Sequence, residues 1–188
     1  HLDTGAMYRA ITLACIQESI HHTSEKNLLS LIRSIHISFD LKNQICINNK
    51  NVENLIRSQT VTSQVSNFSA VKIVRERMVR RQREISKNND CVIEGRDIGT
   101  VVFPNADFKF YLDASAEVRA SRRMKEFEKR GEKMEFEDLV KRIKERDFFD
   151  MNRKISPLLK AFDAIVIDTS DLSIDEQIRK IINIVTNK

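Results

Sequence analysis

Three short apolar runs, Cys91 to Glu94, Phe108 to Leu112 and Ala164 to Ile167, limit this chain more than any other feature. Long helix-patterned stretches separate them, and no tight hairpin joins them. Antiparallel neighbours can share a two-residue turn, whereas parallel strands need a crossover of a dozen residues or more. The spacing therefore predicts an α/β protein whose parallel sheet is covered by helices on both faces. At 188 residues the chain is long enough for one core, with room for inserted subdomains.

The stretches between the strands carry a helical period. Ala6 to Ile20 is apolar almost all round, with Met7, Ala10, Ile11, Leu13, Ala14 and Ile16, and reads as a well-buried helix. Residues 26 to 35 form a shorter amphipathic helix, and Ser58 to Asn67 and Ala70 to Ser86 read as two more. From His36 the period drops to two: Ile37 and Phe39, then Ile45 and Ile47, with a turn at Asn48-Asn49-Lys50-Asn51 before Val52. That is a small antiparallel sheet set between helices. At the other end, Ser173-x-x-Glu176 spells a capping box ahead of the stripe Ile174, Ile178, Ile181, Ile182 and Val185.

Composition excludes several classes. No apolar run approaches the roughly 18 residues of a membrane span, and charged residues make up 31% of the chain. Cys15, Cys46 and Cys91 are odd in number and set among apolar neighbours, so buried free thiols are expected. The four histidines form no ligand pattern with them. No leader is evident, which makes cytoplasm the expected compartment. The net charge of +5 fits a basic surface, a nucleic-acid binder or a pocket that gathers arginines around an anion.

Placement of the charges favours the pocket. Glu94-Gly95-Arg96-Asp97-Ile98-Gly99-Thr100 directly follows a strand, and ligands of open parallel sheets bind beyond the carboxyl ends of strands. Arg146, Asp150 and Arg153 fall at i, i+4 and i+7 of a helical pattern, one face of one helix. A surface ladder there contributes only about 0.3 to 0.5 kcal/mol per pair. Arg119, Arg122 and Arg123 crowd a second helix, where like charges repel unless an anion visits. In Asp3-Thr4-Gly5-Ala6-Met7-Tyr8-Arg9, Thr4 is placed to cap the first helix and Arg9 lies one turn in.

Together, Leu2 to Arg9, Glu94 to Pro104 and Glu145-Arg146-Asp147 through Asp150-x-Asn152-Arg153 resemble the bacterial cytidylate kinases in order and spacing, from residue 2 to the last helix. The resemblance implies a nucleoside-monophosphate-kinase fold of the P-loop NTPase-like α/β type, with a parallel five-stranded core, a small antiparallel β insert and a helical lid. It implies a core of residues 1–35, 87–119 and 154–188, a monophosphate-binding insert at 36–86 and a lid region at 120–153. The activity implied is transfer of the ATP γ-phosphoryl group to CMP or dCMP with Mg²⁺, a step of pyrimidine nucleotide metabolism, by a monomer.

By motif position the resemblance gives Ser66, Arg75 and Asp97 the cytosine edge, Arg9, Arg96 and Arg153 the acceptor phosphate, and Arg146 and Asp150 the ribose. Thr4 and Tyr8 line the same pocket, Arg122 approaches ATP, and Glu94 contacts Mg²⁺ through water. The chemistry is coherent, since a carboxylate accepts from the exocyclic amine of cytosine while uracil offers an acceptor there. Guanidinium forks match phosphate oxygens.

The sequence departs from the family pattern at the donor side. Its four glycines are Gly5, Gly95, Gly99 and Gly131, and it contains no Gly-Lys pair. The loop G-x-x-x-x-G-K-[ST], whose backbone amides and lysine cradle ATP phosphates, is therefore absent from it, with the strand before and the helix after. The chain opens on His1 with Leu2 already patterned as strand or loop interior, which implies a missing N-terminal piece. A polypeptide of these 188 residues is expected to turn over little substrate. The rival expectation is a nucleotide- or nucleic-acid-binding protein without chemistry. The acids Glu94, Asp97, Asp113 and Asp150 inside the arginine clusters oppose a nucleic-acid groove.

Overall fold

The structure, a computed structural model, describes residues 1–87, 90–129, 131 and 133–187. They fall into two compact units: residues 1–103 with 153–157, and residues 104–152 with 158–188.

In the first unit a short strand, β1 (Leu2–Asp3), leads straight into helix α1 (Thr4–Gln17). Asp3, not Thr4, caps that helix: its Oδ1 accepts from the Ala6 amide at 2.9 Å. Thr4 instead donates its hydroxyl to the Glu94 carbonyl at 2.6 Å. The carboxylate is the stronger acceptor for orphan helix amides, which leaves Thr4 free to tie the helix to the next strand. α1 is the centre of this unit. Met7, Ala10, Ile11, Leu13 and Cys15 are all buried, as an apolar pattern on every side requires.

Around α1 pack α2 (Glu25–Ser34), the antiparallel strands β2 (Ile37–Phe39), β3 (Ile45–Ile47) and β4 (Lys50–Asn51), and helices α3 (Gln59–Ser69) and α4 (Lys72–Ile85). The alternation read from the sequence holds: Ile37 and Ile45 point into the core, which also takes Leu28, Ile56, Val61, Phe68 and Val74. Each such side chain contributes about 1.5 to 3 kcal/mol on full burial. The Asn48-Asn49 turn has both residues at positive φ, 50° and 65°, as a two-residue hairpin demands.

β5 (Ile93–Glu94) lies parallel to β1, pairing Leu2 with Ile93 and Asp3 with Glu94. It starts two residues later than the apolar run suggested. Cys91 and Val92 precede the pairing, so Cys91 is exposed and only Cys15 and Cys46 are the buried thiols expected. Burial pushes the Cys15 thiol up to about 12, which keeps it protonated and unreactive.

The second unit holds β6 (Phe110–Asp113) and β7 (Ile165–Asp168), parallel and in register from Phe110–Ile165 to Asp113–Asp168. α5 (Ala116–Lys129) and α6 (Phe136–Asn152) pack on each other through Ala116, Ala120, Leu139 and Ile143. α7 (Ile174–Thr186) begins with the predicted capping box between Ser173 and Glu176. The pairs β1–β5 and β6–β7 are both parallel, as expected for an α/β protein, each as a two-stranded sheet of its own unit. Leu112, Ile165 and Val166 keep 54%, 40% and 48% exposure, and Ile174, Ile178, Ile182 and Val185 of α7 are exposed as well. No helix among the described residues is long and apolar enough to cross a membrane.

Candidate functional site

Parallel pairing of β1 with β5 sets Asp3 and Thr4 beside Glu94 and Gly95, so two chain segments approach closely where both leave the sheet. Gly95 is needed there. A Cβ on it would lie 2.4 Å from Thr4 Oγ1 and 2.8 Å from Ile98 Cδ1, contacts real side chains do not make. Gly95→Ala is expected to break the Thr4–Glu94 hydrogen bond or displace Ile98, at a cost of about 1–3 kcal/mol. A urea midpoint equal to that of the parent chain would overturn this.

Past Gly95 the chain enters a π-helical turn, Ile98–Val102, with the amides of Val101 and Val102 both bonded to the Asp97 carbonyl. α4 fastens this turn from outside: Arg83 donates Nε to the Val102 carbonyl at 2.9 Å and Nη2 to the Val101 carbonyl at 2.8 Å. Two turns earlier the same helix carries Arg75 inward. α4 thus presents one arginine to the site and uses another to hold the segment that bears the site's carboxylate.

At the centre, Asp97 is 4% exposed. Arg75 donates Nη2 to its Oδ2 in a very short bond, and Arg153 Nη2 stands 3.8 Å from its Oδ1. Both arginines are buried too. Arg75 is further fixed by a bond from Nη1 to the Ser69 carbonyl at 3.2 Å, and its Cζ lies 5.1 Å over the Tyr8 ring. Tyr8 is buried, and desolvation raises its phenol pKa above the ordinary value against the pull of the Arg75 charge, so the phenol is neutral at physiological pH. Arg153 is anchored by Nε to the Ser156 carbonyl at 2.6 Å, in a turn where Ser156 adopts φ 49°.

Of the other residues singled out in this unit, Arg9 is half-buried and donates Nη1 to Thr62 Oγ1 at 2.7 Å and to the Ile56 carbonyl at 3.3 Å. Ser66 is half-buried on α3, and its carbonyl accepts from the Ser69 hydroxyl. Arg96 is exposed. Glu94 is exposed as well; desolvation by the protein around it and then the Asp3 carboxylate raise its pKa above the usual range. Among the described residues no group of three or more His, Cys, Asp or Glu could hold a metal ion. Glu94 and Asp3 are two oxygen donors, which suits Mg²⁺, an ion that keeps several waters and takes one or two carboxylates beside a substrate's phosphates.

The second unit holds Arg122, Arg146 and Asp150. Arg146 Nε lies 3.9 Å from Asp150 Oδ2 one turn along α6, and Asp150 is 2% exposed. α6 ends at Asn152, and Arg153, the next residue, is grouped with the first unit. The arginines on α5 have partners inside the unit. Arg119 makes a two-pronged bond to Asp147 at 3.1 and 2.6 Å, Arg122 donates to the hydroxyl and carbonyl of Thr169, and Arg123 stacks over Phe127. Nothing in the local sequence signals these partners, because Asp147 and Thr169 lie 28 and 47 residues from the arginines they bind.

The first unit therefore offers a buried carboxylate between two guanidiniums, on a tyrosine ring, at the end of parallel strands: a place able to read a polar base edge and bind phosphate. Comparison with known proteins agrees. The family described as Cytidylate kinase matches residues 1–187. A cytidylate kinase of Clostridium botulinum (strain Langeland) is 47% identical over 98% of this chain and 85% of its own length. One from Halalkalibacterium halodurans is 45% identical over all of this chain and 86% of its own, and one from Bacteroides fragilis is 44% identical over 94% and 81%. A family match over residues 1–187, with relatives 44–47% identical over nearly the whole chain, means that the chain belongs to the cytidylate kinase family.

Proposed function

We propose that CMP and dCMP are the phosphoryl acceptors, and that the buried Arg75–Asp97–Arg153 cluster recognises them. That cluster carries the reading: a carboxylate buried between two guanidiniums adds little net stability, and the same groups have the chemistry to bind a polar base edge and a phosphate. Asp97, Arg75 and Ser66 read the cytosine edge. Arg9, Arg96 and Arg153 bind the acceptor phosphate, while Thr4 and Tyr8 line the pocket. Arg146 and Asp150 hold the ribose and Arg122 serves ATP, both assigned by motif position. Residues 36–86 act as the monophosphate-binding insert and 120–153 as the lid.

In the reaction an oxygen of the CMP phosphate forms a bond to the γ-phosphorus of ATP while the bond from that phosphorus to the β–γ bridging oxygen breaks, releasing ADP. Such transfers depend on positioning and charge neutralisation more than on a strong base. Arginines in a dry pocket orient the attacking oxygen and spread the developing charge. Mg²⁺ bound near Glu94 and Asp3 would supply further neutralisation at the phosphates.

Calorimetric titration of the 188-residue polypeptide is expected to show CMP and dCMP binding at least about 10-fold more tightly than UMP, the discrimination of one good polar pair. Equal binding of CMP and UMP would sink the reading. Oligonucleotide binding that weakens steeply with salt would instead favour a non-catalytic nucleic-acid binder. Because the same polypeptide contains no G-x-x-x-x-G-K-[ST] loop, it is expected to release ADP slowly in a coupled assay; an ordinary kinase rate of about 1–100 per second would overturn that part alone.

A further inference from the structure

Gln82 takes no part in the site as drawn so far, yet it is the most anomalous polar side chain in the first unit. It lies on α4 two turns after Arg75 and has no exposed surface. Neither its Oε1 nor its Nε2 makes a hydrogen bond, and the Tyr8 hydroxyl and Arg75 Nε are likewise buried without one. Buried amides and hydroxyls are nearly always bonded, because each orphan costs about 1–3 kcal/mol. Three such groups on neighbouring side chains are too expensive to keep by accident.

Their arrangement suggests what they do. The Gln82 amide and the Tyr8 hydroxyl are both buried without a partner, on helices α4 and α1 that pack on each other, and Gln82 is one of the groups that draw the phenol pKa down against burial. The Tyr8 ring in turn supports the Arg75 guanidinium at 5.1 Å, and Arg75 bonds Asp97. A neutral phenol can donate to Oε1 or accept from Nε2, so a small rotation of either side chain completes the bond. With the hydroxyl held, the ring cannot swing, and the guanidinium above it keeps one plane. Resting on the functional reading above, we propose that Gln82 is a positioning residue for cytosine recognition, acting through Tyr8 on the orientation of Arg75.

Gln82→Met keeps the volume and removes the amide, and its binding of CMP and UMP is compared with the parent's by calorimetry alongside thermal melting. CMP affinity is expected to fall about 10-fold, UMP affinity to stay, and the melting temperature to hold or rise as orphan atoms leave the core. Tyr8→Phe is expected to narrow the CMP-to-UMP ratio equally, and the double variant to lose nothing more, since both act on one contact. An unchanged ratio in Gln82→Met, a parallel loss of CMP and UMP binding with a lower melting temperature, or multiplying losses in the double variant would each overturn the positioning role. A parent chain that fails to separate CMP from UMP overturns the functional reading as well, which distinguishes the two failures.

Discussion

Asp97→Ala lowers stability by about 3–5 kcal/mol and abolishes the preference for CMP over UMP. Both effects come from one carboxylate. The side chains of Asp97, Arg75 and Arg153 are 4%, 3% and 4% exposed, so water cannot replace a partner that is removed. Deleting the acid leaves Arg75 without its principal acceptor in a low-dielectric site, and a guanidinium cannot shed its proton to escape. On the proposed reading, the same deletion takes away the group that would accept from the exocyclic amine of cytosine. Asp97→Asn separates the two effects: its amide oxygen still accepts from Arg75, so part of the stability returns, while its amine end faces the base with the wrong polarity. Urea unfolding followed by circular dichroism measures the first effect and CMP and UMP titrations the second. An Asp97→Ala protein within about 1 kcal/mol of the parent, far below the cost of a broken buried pair, would mean that the cluster is solvated in solution.

Part of this centre and of the fold around it is legible in the sequence for local reasons, Asp97 above all, while Arg75 comes only from the resemblance to the family. A strand that ends in Glu94-Gly95-Arg96-Asp97 announces a charged sheet end, because apolar strands deliver their following residues to one edge. Ser173 and Glu176 define the start of α7 within four residues, and the alternation of Ile37, Phe39, Ile45 and Ile47 fixes a hairpin by period alone. What escaped was set by distant chain. Asp3 displaced Thr4 as the cap because β5 claims the Thr4 hydroxyl from 90 residues away. Helical spacing carried the pattern on to Arg153, but α6 stops at Asn152, and the turn that holds Arg153 is set by Ser156. Gln82 was invisible for a different reason: a glutamine among arginines on an amphipathic helix looks solvated, and only its complete burial gives it meaning.

Arg153→Met is expected to weaken CMP binding about 10- to 100-fold, the worth of a charge-assisted bond to phosphate, and to leave cytidine binding unchanged. Arg153 lies outside the regular elements, one residue past the end of α6. Its Nε is bonded to the Ser156 carbonyl at 2.6 Å, in a turn where Ser156 has positive φ, and its Nη2 stands 3.8 Å from Asp97 Oδ1. Removing the guanidinium costs Asp97 its more distant partner and keeps the bond from Arg75, so the base-reading edge survives while a phosphate-binding group goes. Arg153→Lys should rescue little of the loss: a lysine carries the charge but cannot bond Ser156 and the phosphate through a single rigid fork. Comparison of CMP with cytidine, which differ only by the phosphate, isolates this contribution from base recognition. Equal losses for the two ligands would show that Arg153 supports Asp97 and does not bind phosphate.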